Sequence, residues 1–312
     1  MKRIDLSKPG ETDPVALIIG NYDGVHRGHQ AIIEHSRTLA QREGLHTALL
    51  SFEPHPLKVL APDRAPRLIL TPAQKHRLLA FHGIDYYMVQ PFDLAFSRLS
   101  PEDFVHHLCQ RVVFRHVLVG FNFRFGHRRA GDVDRLTQIG KDKGFQVGIA
   151  DPRRDEIDVI SSSRIRGLIA DGDLVSASKL LGRPYFLEGK VAPGQQLGRE
   201  LQSPTANIAV QNELLPRFGV YASWTRTPMG WYRSITNIGK APTLGRGSTL
   251  VETRLFDFDD HLYGQDIVVC PAAFLRPEQT FADLEALRRQ IAQDVAQRLA
   301  LPDRDPPKLQ LF

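Results

Sequence analysis

The chain is 312 residues long, which at about 150 residues per domain fits two domains, each able to bury its own core. Its 42% hydrophobic and 24% charged residues, with 24 Gly and 21 Pro, exclude disordered and collagen-like chains. Two cysteines, Cys109 and Cys270, are too few for a disulfide framework, and a net charge of +5 suits an anionic partner, either nucleic acid or phosphorylated small molecules.

The opening MKRIDLSKPGETDP lacks the apolar core of a signal peptide, so a reducing cytoplasm is the expected location. No run approaches the ~18 apolar residues of a membrane span, and no membrane partner is expected. From Val15 to about Ile160, short apolar runs alternate with helical patterns. Strands are expected at Val15 to Ile19, Thr47 to Phe52, Ile84 to Val89, His116 to Val119 and Phe145 to Ile149. Helices are expected near Gly28 to Gln41, Pro72 to Phe81 and Pro101 to Val112, the last opened by Ser100 with Asp103 three residues on, close to a capping box. This alternation predicts an open parallel sheet whose site lies at the strand-to-helix turns. Two more helices follow, from Ser163 and Leu174, before Gly182-Arg183-Pro184 breaks the pattern.

After Tyr185 the chain turns to short β-type runs punctuated by Gly and Pro: Phe186 to Val191, Val220 to Thr225, Trp231 to Ile238, Thr249 to Phe258 and Ile267 to Phe274. This spacing predicts a small antiparallel barrel or sandwich. A terminal helix from Phe281 to about Leu299 carries Leu284, Leu287, Ile291, Val295 and Leu299 as one apolar stripe expected to pack on the barrel. The tail from Pro302 is expected to be loosely held. The domain division is therefore 1–184 and 185–312.

The densest motif is Gly20-Asn21-Tyr22-Asp23-Gly24-Val25-His26-Arg27-Gly28-His29, between an apolar strand and a helix. Glycines allow close backbone approach to phosphate, and a helix N-terminus offers unpaired N–H groups to an anion. His26 and His29, three apart, can face the same phosphate. The same pair also reads as a surface pair or half a metal site, although no Cys or carboxylate stands at the usual ligand spacing. The absence of G-x-G-x-x-G and of a Walker lysine motif removes support for a dinucleotide dehydrogenase or a P-loop enzyme. Further on, Ile160-Ser161-Ser162-Ser163-Arg164-Ile165-Arg166 combines hydroxyls, a helix start and arginines; by itself it reads as a serine cap with solvated arginines.

Together these two segments resemble the nucleotidylyltransferase superfamily, whose α/β fold carries an H-x-G-H turn and a distant I-S-S-S/T-x-x-R. Asn21-Tyr22-Asp23-Gly24, Ser51-Phe52-Glu53-Pro54-His55-Pro56, Gly120-Phe121-Asn122-Phe123-Arg124-Phe125-Gly126 and Leu181-Gly182-Arg183-Pro184-Tyr185 narrow it to a resemblance to the bacterial bifunctional riboflavin kinase/FMN adenylyltransferases, along nearly the whole chain in order. The resemblance implies an N-terminal nucleotidylyltransferase-type parallel sheet with helices and a C-terminal antiparallel β-barrel with a terminal helix. It implies that His26 and His29 stabilise the α-phosphate of ATP as FMN attacks it. Arg166, Ser162 and Ser163 would hold the departing pyrophosphate. Gly20, Asn21, Tyr22, Asp23, Gly24, Gly28, Asn122 and Phe123 would line the nucleotide and flavin site, with Mg²⁺ on the triphosphate.

In the second half, Pro204-Thr205-Ala206-Asn207, Asn237-Ile238-Gly239-Lys240-Ala241-Pro242-Thr243 and Val251-Glu252-Thr253-Arg254-Leu255 resemble the riboflavin kinase module in the same order. Thr205 and Asn207 would then help hold Mg²⁺ and phosphate, Gly198 and Arg199 would lie at the nucleotide, and Glu252 would take the proton of the ribityl hydroxyl. Without that resemblance, Glu252 reads as an outward strand residue with cross-strand Arg or Lys partners. The turn before P-T-A-N departs from the family, with Gln202 and Ser203 where glycine and an apolar residue are usual. The expected activities are phosphorylation of riboflavin to FMN and adenylylation of FMN to FAD. One alternative is an adenylyltransferase with a weakened or flavin-binding-only kinase domain. The other is an RNA-binding protein, suggested by the aromatic and arginine residues of Phe121 to Arg129, whose order does not match RNP1.

Overall fold

A computed structural model describes residues 1–8, 12–192, 205–240, 249–302 and 305–309. The chain divides into two compact units, Met1–Ser162 and Ser163–Gln310. In the first, strands β1 (Lys2–Asp5), β2 (Val15–Ile19), β3 (His46–Glu53), β4 (Tyr86–Pro91), β5 (Phe114–Gly120) and β6 (Gln146–Ala150) form one parallel sheet in the order β1-β4-β3-β2-β5-β6. All five residues of β2 are buried, as expected of a central strand covered on both faces. The helices are α1 (Arg27–Glu43), α2 (Pro56–Leu60), α3 (Pro72–Phe81), α4 (Pro101–Cys109) and α5 (Val133–Lys143). From β2 the chain winds outward to β3 and β4, then crosses to β5 and β6 on the other side. The topological switch therefore lies between β2 and β5, where open α/β sheets bind their ligands.

The caps show why the helices start where they do. Thr71 and Gln74 form the full capping box, at α3: each side chain accepts the other residue's backbone N–H, at 3.2 and 2.9 Å. The box expected at α4 is only half made. Ser100 accepts the Asp103 N–H at 3.0 Å, but the shorter Asp103 carboxylate accepts a hydrogen bond from the Ser100 hydroxyl at 2.7 Å and leaves the cap backbone alone.

The second unit begins with α6 (Ser162–Asp171) and α7 (Leu174–Leu181), which Gly182 ends in the left-handed conformation. Strands β7 (Leu187–Ala192), β8 (Ala206–Val210), β9 (Gly219–Thr227), β10 (Gly230–Lys240), β11 (Thr249–Leu255) and β12 (Asp266–Arg276) close an antiparallel barrel in the order β10-β11-β8-β7-β12-β9. Its interior holds a ring of five buried hydroxyls. Ser223, Ser234, Thr225, Thr253 and Thr236 are joined in that order, and back to Ser223, at 2.7–3.2 Å. Each hydroxyl can donate once and accept once, so the ring satisfies itself without water.

The last helix spans Leu284–Ala300. Its apolar stripe does not form the buried seam expected: Leu284 and Leu299 are exposed, and the residues it buries are Asp294 and Arg298. The polar pair anchors the helix. Asp294 receives two 2.8 Å hydrogen bonds from the Arg276 guanidinium, and Arg298 lies over the Trp224 ring at 5.6 Å. In the tail Leu309 is buried, so that part of the segment expected to be loose is packed.

Candidate active sites

A cleft of about 280 Å³ opens at the switch point of the parallel sheet. The end of β2 supplies Gly20, Asn21 and Tyr22; the end of β5 supplies Phe121, Asn122 and Phe123. His26 is the N-cap of α1, with its Nδ1 accepting the His29 N–H at 3.3 Å, and its ring stacks on that of His29 with centroids 3.6 Å apart. Because Nδ1 accepts, the proton of neutral His26 sits on Nε2, which makes that nitrogen a donor. Tyr22 covers the far face of this pair, 4.3 Å from His29, and its burial pushes the phenol far above its ordinary pKa. A Cβ on Gly28 would come within 3.1 Å of the His26 ring, so this glycine makes room for the histidine at the helix start.

The expected residues sort into two groups. Gly20, Asn21, Tyr22, His26, Gly28, His29, Asn122, Phe123 and Ser162 line one cleft. Asp23 and Gly24 do not; the buried Asp23 carboxylate accepts the backbone N–H groups of Ile69 and Leu70 at 3.0–3.3 Å. Ser162 ties the loop from the other side, donating its hydroxyl proton to the Asp23 carbonyl at 2.7 Å. Ser163 and Arg166 fall in the second unit, where Arg166 donates to the Ser163 hydroxyl at 3.3 Å. Of the aromatics, Phe125 is buried in the core while Phe121 is half exposed at the cleft. Residues 150–153, at and just beyond the end of β6, line the cleft without having been expected. The available signal was their position at the end of a strand next to the switch point.

In the second unit a cleft of about 330 Å³ lies between one side of the barrel and the last helix. Glu252 on β11 pairs with Asn207 on β8 and with Asn237 on β10, so three polar side chains form one row across three strands. The Thr205 hydroxyl donates to the Glu252 carboxylate. The partners of Glu252 are thus amides and a hydroxyl, not the Arg or Lys of an ordinary surface strand. Val220 and Ile235 supply an apolar wall from the barrel, and Leu287, Ile291 and Val295 supply one from the helix, which is why the middle of the apolar stripe stays half open. Asn237 and the helix wall were missed by sequence reasoning. Asn237 stood in a quoted motif without a role, and the wall depends on a helix brought back from the end of the chain. Gly198, Arg199, Gln202 and Ser203 lie outside the described residues.

Two family models match this chain: FAD synthetase over residues 8–164 and riboflavin kinase over residues 181–301. Proteins named bifunctional riboflavin kinase/FMN adenylyltransferase align along most of it. The one from Listeria monocytogenes is 36% identical, covering 94% of this chain and 96% of its own. The one from Escherichia coli K12 is 35% identical over 89% and 90%, and that from Pseudomonas fluorescens 37% over 91% of each. A crystal structure from Streptococcus pneumoniae, described as a macrolide-efflux protein, superposes with a TM-score of 0.87 at 26% identity, covering 96% of this chain and 99% of that one. No helix among the described residues here is long and apolar enough to cross a membrane.

Proposed function

Because the chain belongs to the family of bifunctional riboflavin kinase/FMN adenylyltransferases, we propose that its two clefts divide that family's two reactions. The protein is a transferase of FAD biosynthesis with riboflavin, FMN and ATP as substrates. This membership does not favour an RNA-binding protein or an adenylyltransferase with a weakened or flavin-binding-only kinase domain.

The cleft at the sheet's switch point is assigned to adenylyl transfer. A phosphate oxygen of FMN bonds to the α-phosphorus of ATP while the bond from that phosphorus to the pyrophosphate oxygen breaks. His26 and His29 stabilise the negative charge that grows on the α-phosphate, a matter of positioning and preorganised donors. Ser162, Ser163 and Arg166 hold the leaving pyrophosphate; for Ser163 and Arg166 the support is the sequence motif. Gly20, Tyr22, Asn122 and Phe123 shape the nucleotide and flavin pocket. The observation that carries this assignment is the stacked histidine pair at the start of α1, beside the switch point.

The barrel cleft is assigned to the kinase. The ribityl hydroxyl oxygen bonds to the γ-phosphorus of ATP, ADP departs, and Glu252 takes the hydroxyl proton. The Thr205 hydroxyl and the Asn207 carboxamide oxygen, on one side of the barrel, are the groups that would hold Mg²⁺, which takes few protein oxygen ligands and completes its shell with phosphate and water. Bound there, the ion would neutralise the transferring phosphates. The functional domains are placed at 1–184 and 185–312, and the two free cysteines, Cys109 exposed and Cys270 buried, support a cytoplasmic location. The test is to incubate the protein with ATP and Mg²⁺, once with riboflavin and once with FMN, and to resolve the flavins by chromatography. FMN and FAD are expected from the first, FAD from the second.

A further inference from the structure

Two arginines line the barrel cleft, Arg254 on β11 and Arg276 at the end of β12. Arg276 is committed, because its guanidinium gives two 2.8 Å hydrogen bonds to Asp294 and a third, at 3.1 Å, to the Pro277 carbonyl. Arg254 makes no hydrogen bond or ion pair with a described residue, and its guanidinium lies 6.0 Å from the centre of the Phe256 ring. The side chain is half-buried, and loss of hydration without a counter-charge pushes its pKa down. A guanidinium still keeps its proton at neutral pH. A desolvated cation of this kind is stabilised when an anion joins it.

Strand alternation places this cation. Residues 252 and 254 share the face of β11 that looks into the cleft, while Thr253 between them belongs to the hydroxyl ring inside the barrel. Glu252 pairs with Asn207 and Thr253 with Ala206, so Arg254 stands one step further along, at the level of Thr205. Thr205 also lines the cleft and donates to Glu252. On its other side Arg254 pairs with Ile235 of β10, where the apolar wall begins. The cleft thus has an apolar half, suited to a flat aromatic ring system. Its other half holds Glu252, Thr205 and one uncommitted cation, and suits the meeting of a phosphoryl group with an alcohol.

We propose that Arg254 binds the γ-phosphoryl group of ATP in the barrel cleft and stabilises the charge on its non-bridging oxygens as it passes to the ribityl hydroxyl. The proposal rests on the assignment of the kinase to this cleft. Arg254 takes no proton and forms no bond in the step; its planar fork of donors meets two phosphate oxygens at once. Arg254→Met and Arg254→Lys test it. Riboflavin phosphorylation is followed as the sum of FMN and FAD formed, and its inhibition by ADP and by the β,γ-imido analogue of ATP reads the two nucleotides at the kinase site. Tryptophan fluorescence reads the thermal midpoint of the barrel. In Arg254→Met, kcat is expected to fall about 100-fold or more, the scale of losing one preorganised donor. KM for riboflavin should stay within about threefold, because the contact is not to the flavin. The inhibition constant of the imido analogue should rise about 10-fold or more, with that of ADP unchanged. Lysine keeps the charge without the fork, so Arg254→Lys should lose about tenfold less than Arg254→Met. Four results would each overturn the proposal: a kcat kept in Arg254→Met, with or without a raised KM for riboflavin; an ADP constant that rises as much as that of the imido analogue; a lysine variant no better than methionine; or midpoints that fall in step with activity in both variants. Absence of riboflavin phosphorylation by the unaltered protein would instead overturn the cleft's assignment.

Discussion

Asp294 holds the last helix by an ion pair that its surroundings make costly to break. The residue is 3% exposed, its carboxylate receives two parallel 2.8 Å bonds from Arg276, and Gln290 donates a third at 2.9 Å. Asp294→Ala would leave the Arg276 side chain, only 14% exposed, without its counter-charge. Breaking such a pair costs about 3–5 kcal/mol. In a unit of this size that lowers the thermal midpoint by about 6–20 °C. The chain's two tryptophans, Trp224 and Trp231, both lie on barrel strands, so tryptophan fluorescence follows this unit alone. Arg298 lies over Trp224, so release of the helix should change the emission before the barrel melts. Leu287, Ile291 and Val295 leave with the helix, so KM for riboflavin should rise while FAD formation from added FMN persists. Arg276→Met with Asp294→Leu removes both charges and should recover most of the lost stability, since an apolar pair in place of a buried ion pair is often neutral or better. An Asp294→Ala protein whose fluorescence midpoint moves by less than about 2 °C, the equivalent of 1 kcal/mol or less, would refute the anchoring role.

The histidine pair gives a second expectation: His26→Ala or His29→Ala should cut FAD formation from FMN by about 100-fold or more, the scale of losing one preorganised donor. Full FAD synthesis by the double alanine variant would remove both residues from the mechanism. Glu252→Gln should lower riboflavin phosphorylation and spare adenylylation of FMN, and equal loss of both in a folded protein would contradict two separate sites. At alkaline pH, burial holds the Tyr221 phenol at about 12, whereas the unfolded chain releases that proton near 10. The folded state thus keeps a proton the unfolded state has lost. Its stabilising effect is complete below the unfolded value and disappears as the pH rises through about 12. Denaturant midpoints should fall over that interval, less steeply in Tyr221→Phe; identical slopes for the two proteins would count against it.

What could be read from the sequence follows from how each element gains its stability. β2 was legible as Val15–Ile19 because a strand buried on both faces must be continuously apolar. β1 was not, since Lys2–Asp5 contains one apolar residue and is a strand only through its pairing with β4. α5 was missed although Asp132 caps it and Gly144 ends it in the left-handed conformation; its exposed face is charged enough to pass for a loop. The hydroxyl ring inside the barrel inverts the usual pattern, so alternation alone could not say which side of β9, β10 and β11 faces inward. The motifs name Thr205, Asn207 and Glu252 together only through the resemblance to the riboflavin kinase module; Thr205 and Glu252 are 47 positions apart, and it is the β8–β11 register that sets Asn207 opposite Glu252. No motif could carry the last helix there, because Arg276 and Asp294 meet through folding and not through any spacing along the chain.

The loop of the H-x-G-H motif shows the same division at a smaller scale. Tyr22 and Val25 have φ of 51° and 40°, a left-handed conformation that costs a side-chain-bearing residue about 1–2 kcal/mol each. Gly24, at φ 88°, has no such cost. Offsetting it, Val25 is completely buried, worth about 1.5–3 kcal/mol, and the backbone is tied down at several points. Gln30 donates to the Val25 carbonyl at 2.8 Å, Lys75 to that of Asn21 and Ser162 to that of Asp23. Ile69 and Leu70 donate to the Asp23 carboxylate. Apart from Gln30, these ties come from residues 46 to 139 positions away. The motif therefore announces an unusual loop without announcing what holds it. Asp23 has the look of a ligand-binding carboxylate; it accepts the amides of Ile69 and Leu70 and does not line the cleft assigned above to adenylyl transfer, so its part in the loop shown here is to tie the backbone.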